Sequence, residues 1–321
     1  FYFVVINTVK TRKQLFDVLT VFAVSGALVC LYGVAQYIFG WDTSAAWVDE
    51  EMFSDIKMRV YSTLENPNVL GEYILLVLPV CIGLVWQKPK KLAKLVYIAM
   101  AGIMFATLIL TFSRGCWIGF MITAGLFVTF VCGKIWGLAL IALPFLPMVL
   151  PESIINRIAS VGDMKDSSTS YRVYIWYGSL AMVKDFWASG IGPGTQAFKS
   201  VYPFYSYSGI VAPHSHNMFL QILVESGIVG IGVFLTTIVM FFKKLINGYQ
   251  STSGKGSKLG AMIVAIGAGV AGFCVQGMFD NCFYNYRVFL IFWIVLALGI
   301  AAVYIAKGEK EESAVKAVEE E

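Results

Sequence analysis

Pro213-His214-Ser215-His216-Asn217-Met218-Phe219-Leu220 leads into Glu225-Ser226-Gly227-Ile228-Val229-Gly230. A polar turn holding the only two histidines of the chain opens directly into an apolar run, 217–242, long enough to cross a bilayer. A histidine at the mouth of a membrane helix is placed to exchange protons with a group in water. Its unperturbed side chain also titrates nearer neutral pH than any other. Two readings are open at this point: proton chemistry, or simple capping of the helix by His214 and Ser215.

The composition outward from that stretch belongs to one class. Hydrophobic residues make up 58% and charged residues 14%, with a mean hydropathy of +0.73, the balance of an integral membrane protein rather than a globular domain. The formal charge of +4 is too small to argue for a nucleic-acid partner. Phe1 to Val9 reads as the tail of a hydrophobic span, so the sequence is expected to be a piece of a longer protein, with no cleavable signal segment in view. The six cysteines (Cys30, Cys81, Cys116, Cys132, Cys274, Cys282) lack CxxC spacing and mostly fall inside apolar runs. Neither a metal centre nor a disulfide framework is expected; Cys116 and Cys282 are the pair that could lie near one face.

Apolar runs of spanning length predict an all-α polytopic protein with about eight transmembrane helices, near 15–39, 69–87, 95–112, 115–133, 135–150, 217–242, 259–279 and 287–306. This divides the chain into N-terminal helices (1–150, with an outer loop at 40–68), a long loop (151–216), C-terminal helices (217–306) and a charged cytoplasmic tail (307–321). The lysine-bearing connections alternate along the chain and so fall on one side, which the positive-inside rule makes cytoplasmic.

The opposite side carries Arg59, Arg114, Arg157, Arg172 and Arg287, whereas the inner connections are almost purely lysine. Positive charge alone sets orientation, and lysine serves for that. Arginine adds a planar fork of donors suited to phosphate or carboxylate. Arginines on the disfavoured side therefore point to an anionic ligand there, unless they pair with acids such as Asp49, Glu50 and Asp185. Within the long loop, Tyr171 to Lys184 predicts an amphipathic helix at the membrane interface. Gly190-Ile191-Gly192-Pro193-Gly194 predicts a flexible turn, and the aromatic run Tyr202 to Tyr207 suits either sugar stacking or interfacial anchoring.

Four pieces fall on this predicted outer face: Arg59 with Asn66-Pro67-Asn68, Ser113-Arg114-Gly115, Ser170-Tyr171-Arg172, and the histidine stretch. In the last, His216-Asn217 is followed by nine residues, Gly227, two residues and Gly230. These residues, with the Gly190–Gly194 turn, resemble the O-antigen ligase/polymerase superfamily of bacterial membrane glycosyltransferases, whose ligase-type signature has that same spacing. The resemblance implies that an outer-face histidine, here His216, acts on the acceptor hydroxyl. It implies that arginines at Arg114 and Arg172, and less directly Arg59, hold the donor diphosphate. Asn217, Asn66, Asn68 and Asp280 join the expected substrate-binding set.

The residues themselves agree with that chemistry. There is no Gly-rich phosphate loop and no Asp-x-Asp pair; Asp163 and Asp166 are spaced too far apart. No metal or cofactor is expected. A glycan carried on polyprenyl diphosphate then becomes the expected donor and a glycan or lipid the expected acceptor, with membrane lipids and envelope-assembly proteins as further partners. The expected location is the bacterial cytoplasmic membrane, multi-pass, with the site outside. Polymerase and ligase stay open. The rival class is a transporter or flippase of a lipid-linked or anionic substrate, which predicts broken or charged mid-membrane helices and inverted repeats.

Overall fold

The computed structural model describes residues 1–41, 56, 58–87, 90–137, 150–252 and 257–319. These residues are helical throughout their regular parts and contain no strand. A short α1 (Tyr2–Thr8) precedes α2 (Arg12–Phe39), α3 (Pro67–Trp86), α4 (Lys91–Leu110) and α5 (Arg114–Val131). Three helices follow, the short α6 (Glu152–Ala159), the longer α7 (Ser167–Phe186) and the short α8 (Thr195–Val201). The long helices α9 (Met218–Ser251), α10 (Lys258–Gln276) and α11 (Tyr286–Glu319) complete the fold.

Seven of these, α2, α3, α4, α5, α9, α10 and α11, are long and apolar enough to cross a membrane. They match seven of the expected runs; the eighth, 135–150, falls mostly on 138–149, outside the described residues, as does most of the 40–68 loop. Two helices outrun the sequence expectation. α9 continues through Lys243 and Lys244 to Ser251, and α11 continues through Lys307 into the charged tail. Lysine is a good helix former, so charge ends the apolar stretch without ending the helix.

α3 and α10 form the centre, with 78% of each apolar window buried against 22–33% for α2, α4, α5 and α9. The outer helices turn side chains such as Val21, Leu28, Leu92, Leu95, Val233 and Val239 away from the protein. In a protein of this class that surface meets lipid. Where α5 crosses α10 the backbones touch: a Cβ on Gly119 would stand 2.6 Å from the Gly272 carbonyl oxygen. Thr123 Oγ1 donates across the same crossing to the Ala268 carbonyl at 3.0 Å. Without a hydrophobic force between helices in lipid, small residues and such polar bonds are what hold them together.

Helix starts follow the sequence. Asn66 caps α3, accepting from the Asn68 amide at 2.8 Å, with Pro67 at the first helical position. Asn217 caps α9, accepting from Leu220 N–H at 2.9 Å. α7 departs from the expected amphipathic helix. It buries Ile175 and Met182 with Phe198, Tyr202 and Val224 in a second small core, yet exposes Tyr177 and Leu180. Apolar residues thus occur all round it, and part of the loop packs as a compact cap against the start of α9.

Candidate functional site

One end of the bundle gathers the starts of α3, α5 and α9, the end of α10 and the 151–216 loop. Its foundation is a two-rung ladder between the central helices. Asn68 and Glu72 lie one turn apart on α3; Gln276 and Asp280 lie one turn apart at the end of α10. Asn68 Nδ2 donates to Asp280 Oδ2 at 3.0 Å, and Gln276 Nε2 donates to Glu72 Oε1 at 3.3 Å. Arg59 joins the upper rung, its guanidinium donating to Asn68 Oδ1 at 2.8 Å and its Nε to the Thr111 carbonyl at 2.8 Å.

His216 meets the far side of Asp280, with Nδ1 at 3.0 Å from Oδ1. The backbone fixes this approach: Met218 N–H donates to the carbonyls of Gly277 (2.7 Å) and Asp280 (3.0 Å), and Asn217 Nδ2 donates to the Met278 carbonyl at 3.0 Å. His216 adopts φ +48°, a left-handed conformation that costs a side-chain-bearing residue energy and collects at functional sites. The second histidine supports this turn. His214 Nδ1 accepts the His216 backbone N–H at 3.2 Å, and its ring packs 4.5 Å from Tyr284 and 4.1 Å from His216. Burial, then the neighbouring His216 charge, pushes His214 down to about 3, so it is neutral across the physiological range.

Neither of the neighbours Asn217 and Ser215 hydrogen-bonds to the His216 ring. Asn217 caps α9, and Ser215 Oγ donates to the Asn217 carbonyl at 2.8 Å. Asp280 holds the ring instead. Burial alone would raise the Asp280 carboxyl, but the charge and hydrogen bond of His216, then Arg172, outweigh it and hold the group below the usual carboxylate range. Asn66 is likewise committed to capping and makes no recorded contact with the other site side chains.

The arginines divide into two kinds. Arg114 grips Asp166 with both arms, at 2.8 and 2.9 Å, and also donates to the Ser160 hydroxyl and carbonyl at 2.7 and 2.9 Å. Arg157 reaches the same carboxylate at 3.4 Å and the Phe112 carbonyl at 3.3 Å. Burial opposes ionisation of Asp166, but Arg114, the Thr169 amide and Arg157 together hold it below its ordinary value. Arg114 is thus paired with an acid the sequence reading had set aside. Of the acids expected there, Asp185 accepts from the Tyr205 hydroxyl at 2.7 Å, and Asp49 and Glu50 lie outside the described residues.

Arg172 differs. One arm bonds to the Ser168 carbonyl and hydroxyl, another stands 4.0 Å from Asp280, and its Nε is buried without a hydrogen-bond partner among the described residues. Arg59, Arg114, Arg157 and Arg172 all line a cleft of about 290 Å³ with Gln276 and Trp176. Burial, then the charges of Arg157 and Arg172, pushes Arg59 down to about 9, still cationic at neutral pH. Setting aside Glu72 behind Gln276, four guanidiniums face two carboxylates, Asp166 and Asp280, so the cleft favours an anion. His216 stands beside it: its carbonyl accepts from Trp176 Nε1 at 3.3 Å, and Arg172 reaches toward its partner Asp280.

His214, His216 and Asp280 also bring ligand atoms within 4.8 Å of one another, a set that could hold a metal ion. His214 Nδ1 and His216 Nδ1 are both engaged in hydrogen bonds, leaving their Nε2 atoms for any ion. Arg287, in the outer set by sequence, donates to the Thr63 carbonyl at 3.0 Å at the exposed start of α11. Cys116 and Cys282 are free thiols.

The glycine spacing has a physical reading here. Gly227 breaks α9 at φ +64°, and Gly190 turns at φ +67°. A Cβ on either would overlap the other segment's backbone, at Ala188 and Glu225 respectively. Through this approach Ile191 and Gly192 N–H donate to the carbonyls of Val224 (2.9 Å) and Glu225 (3.0 Å), and Ile228 N–H donates to Trp187 O at 2.7 Å. The loop is spliced into the helix that carries His216.

A bundle of membrane-length helices with arginines, a histidine and an aspartate collected at one end defines a polytopic membrane protein with a polar, arginine-rich cleft. Residues 99–235 match the family model of the O-antigen ligase, a match that supports membership of the O-antigen ligase/polymerase superfamily. The match supports a ligase-type function in glycan assembly. No curated protein matches the chain. The matched segment holds Arg114, Asp166, Arg172 and His216, while Arg59, Asn68, Gln276 and Asp280 lie outside it.

Proposed function

We propose that this protein is a glycosyltransferase that moves a glycan from polyprenyl diphosphate to a hydroxyl acceptor at the outer face of the bacterial cytoplasmic membrane, as a polymerase or ligase of a surface polysaccharide. The observation that carries this reading is the 3.0 Å contact of His216 Nδ1 with Asp280 beside a cleft rich in arginine. An ionised Asp280 accepts from Nδ1–H, which leaves the Nε2 lone pair as the base. Nε2 takes the acceptor's hydroxyl proton as that oxygen bonds to the anomeric carbon. The bond from this carbon to the phosphate oxygen breaks, and polyprenyl diphosphate leaves with the electron pair. Arg172 and Arg59 meet the charge that develops on the diphosphate. Asp280 steadies the imidazolium until its proton passes to water. The lysine-rich helix ends opposite the site support the outer placement.

Reconstitution in EDTA tests this, with full-length protein and polyprenyl-diphosphate oligosaccharide, products being resolved by gel and mass spectrometry. A ladder absent with His216→Ala supports a metal-independent polymerase; transfer only when a second acceptor is supplied supports a ligase. No transfer, with donor crossing liposomes instead, overturns the reading in favour of a transporter.

A further inference from the structure

Two buried atoms in the cleft have no protein partner among the described residues, and they are chemical opposites. Arg172 Nε is a charged donor, and Gln276 Oε1 is a neutral acceptor. Gln276 is 2% exposed, so no bulk water compensates its carbonyl. A buried acceptor left unpaired costs about 1–3 kcal/mol, and each such group in a native fold calls for an explanation.

The orientation of the amide is set from behind. Glu72, itself 2% exposed on α3, accepts from Nε2 at 3.3 Å, which places the NH₂ end of the amide on that side. Oε1 is therefore turned toward α5, where Gly115 stands. A Cβ at Gly115 would overlap Oε1, so the glycine of Ser113-Arg114-Gly115 keeps the approach to that oxygen clear.

The complement of this pair is one ligand that brings both an anionic oxygen and a hydroxyl or amide N–H into the cleft. A fully ionised prenyl diphosphate supplies only the first half. The sugar 1-phosphate end of a lipid-linked glycan supplies both, through the substituent on the carbon beside the anomeric centre. We infer that Gln276 is a specificity-determining residue whose Oε1 accepts a hydrogen bond from the 2-hydroxyl or 2-acetamido N–H of the sugar joined to the diphosphate, while Arg172 Nε holds a phosphate oxygen. This rests on the donor reading above. Glu72 is the positioning residue that fixes the amide.

Binding tests it without turnover. Full-length protein in detergent is titrated with short-chain prenyl diphosphates bearing glucose or N-acetylglucosamine, with the 2-fluoro analogue that lacks a donor, and with the sugarless prenyl diphosphate. The expected result is about tenfold weaker binding of the 2-fluoro probe. Gln276→Met should close that gap by weakening the glucose and N-acetylglucosamine probes alone. Equal binding of 2-fluoro and parent probes by the unmodified protein overturns the role of Gln276 and leaves the diphosphate reading standing. Failure of every probe to bind overturns both. Should Gln276→Met not fold, the unmodified protein still decides; Gln276→Asn, which withdraws the amide by one methylene, should weaken the same two probes.

Discussion

Two arginines lie in the same cleft and do opposite things. Arg114 is committed: both arms lie on Asp166, and one of them also bonds to Ser160. Arg172 is left short, with an orphaned Nε and a 4.0 Å reach to Asp280. The first is architecture, since it ties the start of α5 to the start of α7 through a carboxylate 1% exposed. The second keeps a buried donor with no protein partner among the described residues. An arginine in a disfavoured place is thus not yet evidence for a ligand; the bonding of its donors decides.

The comparison can be broken or sharpened by substitution. The largest effect expected is on the chemical side: His216→Ala should lower transfer by about 10²–10⁴-fold with the protein still folded in the membrane. Undiminished transfer would remove His216 from the mechanism. On the architectural side, Asp166→Ala leaves Arg114 and Arg157 buried without their anion. It should cost about 3–5 kcal/mol, read as a lower unfolding midpoint in detergent.

The direct contrast is between two lysine substitutions. Arg172→Lys should raise donor KM about tenfold with little change in Tm, because a point charge replaces a fork at the cleft. Arg114→Lys should lower Tm instead, because a single ammonium cannot span both Asp166 oxygens. If Arg114→Lys raises KM and spares Tm, the assignment of the two arginines is reversed.

The smallest effect concerns His214. Its folded-state value of about 3 lies below the ordinary 6.5. Below pH about 6.5 the unfolded chain therefore binds a proton there that the folded protein refuses. The His214 contribution to stability is complete above that pH and is lost as pH falls toward 3, at about 1.4 kcal/mol per unit. Unfolding midpoints of the unmodified protein and His214→Asn should diverge less at pH 5 than at pH 7; a constant difference would contradict the burial of a neutral ring.

The spans were legible in the sequence because apolar runs of bilayer length leave few alternatives. His216 and Asp280 were named from sequence, but the bond between them was not: 64 positions separate them, and the dock of Met218 onto Gly277 and Asp280 is a backbone event with no side-chain signature. Asn66, Asn68 and Asn217 were expected as one binding group. Asn66 and Asn217 cap helices, and only Asn68 joins the Asp280 network, since one side chain type serves both roles. Asp166 was passed over because its spacing from Asp163 fails a metal motif, although Asp before Ser167-Ser168-Thr169 is a legible cap signal. Glu72 and Gln276 were missed, though a lone polar residue inside an apolar span is a signal in its own right.

The break at Gly227 separates nine residues of α9, Met218 to Ser226, from the length that runs on to Ser251. That short segment is bonded to the Trp187–Gly192 turn on one flank and to the end of α10 on the other. His216 stands just before one end of this segment and the loop is bonded near the other, so one short piece of helix holds both.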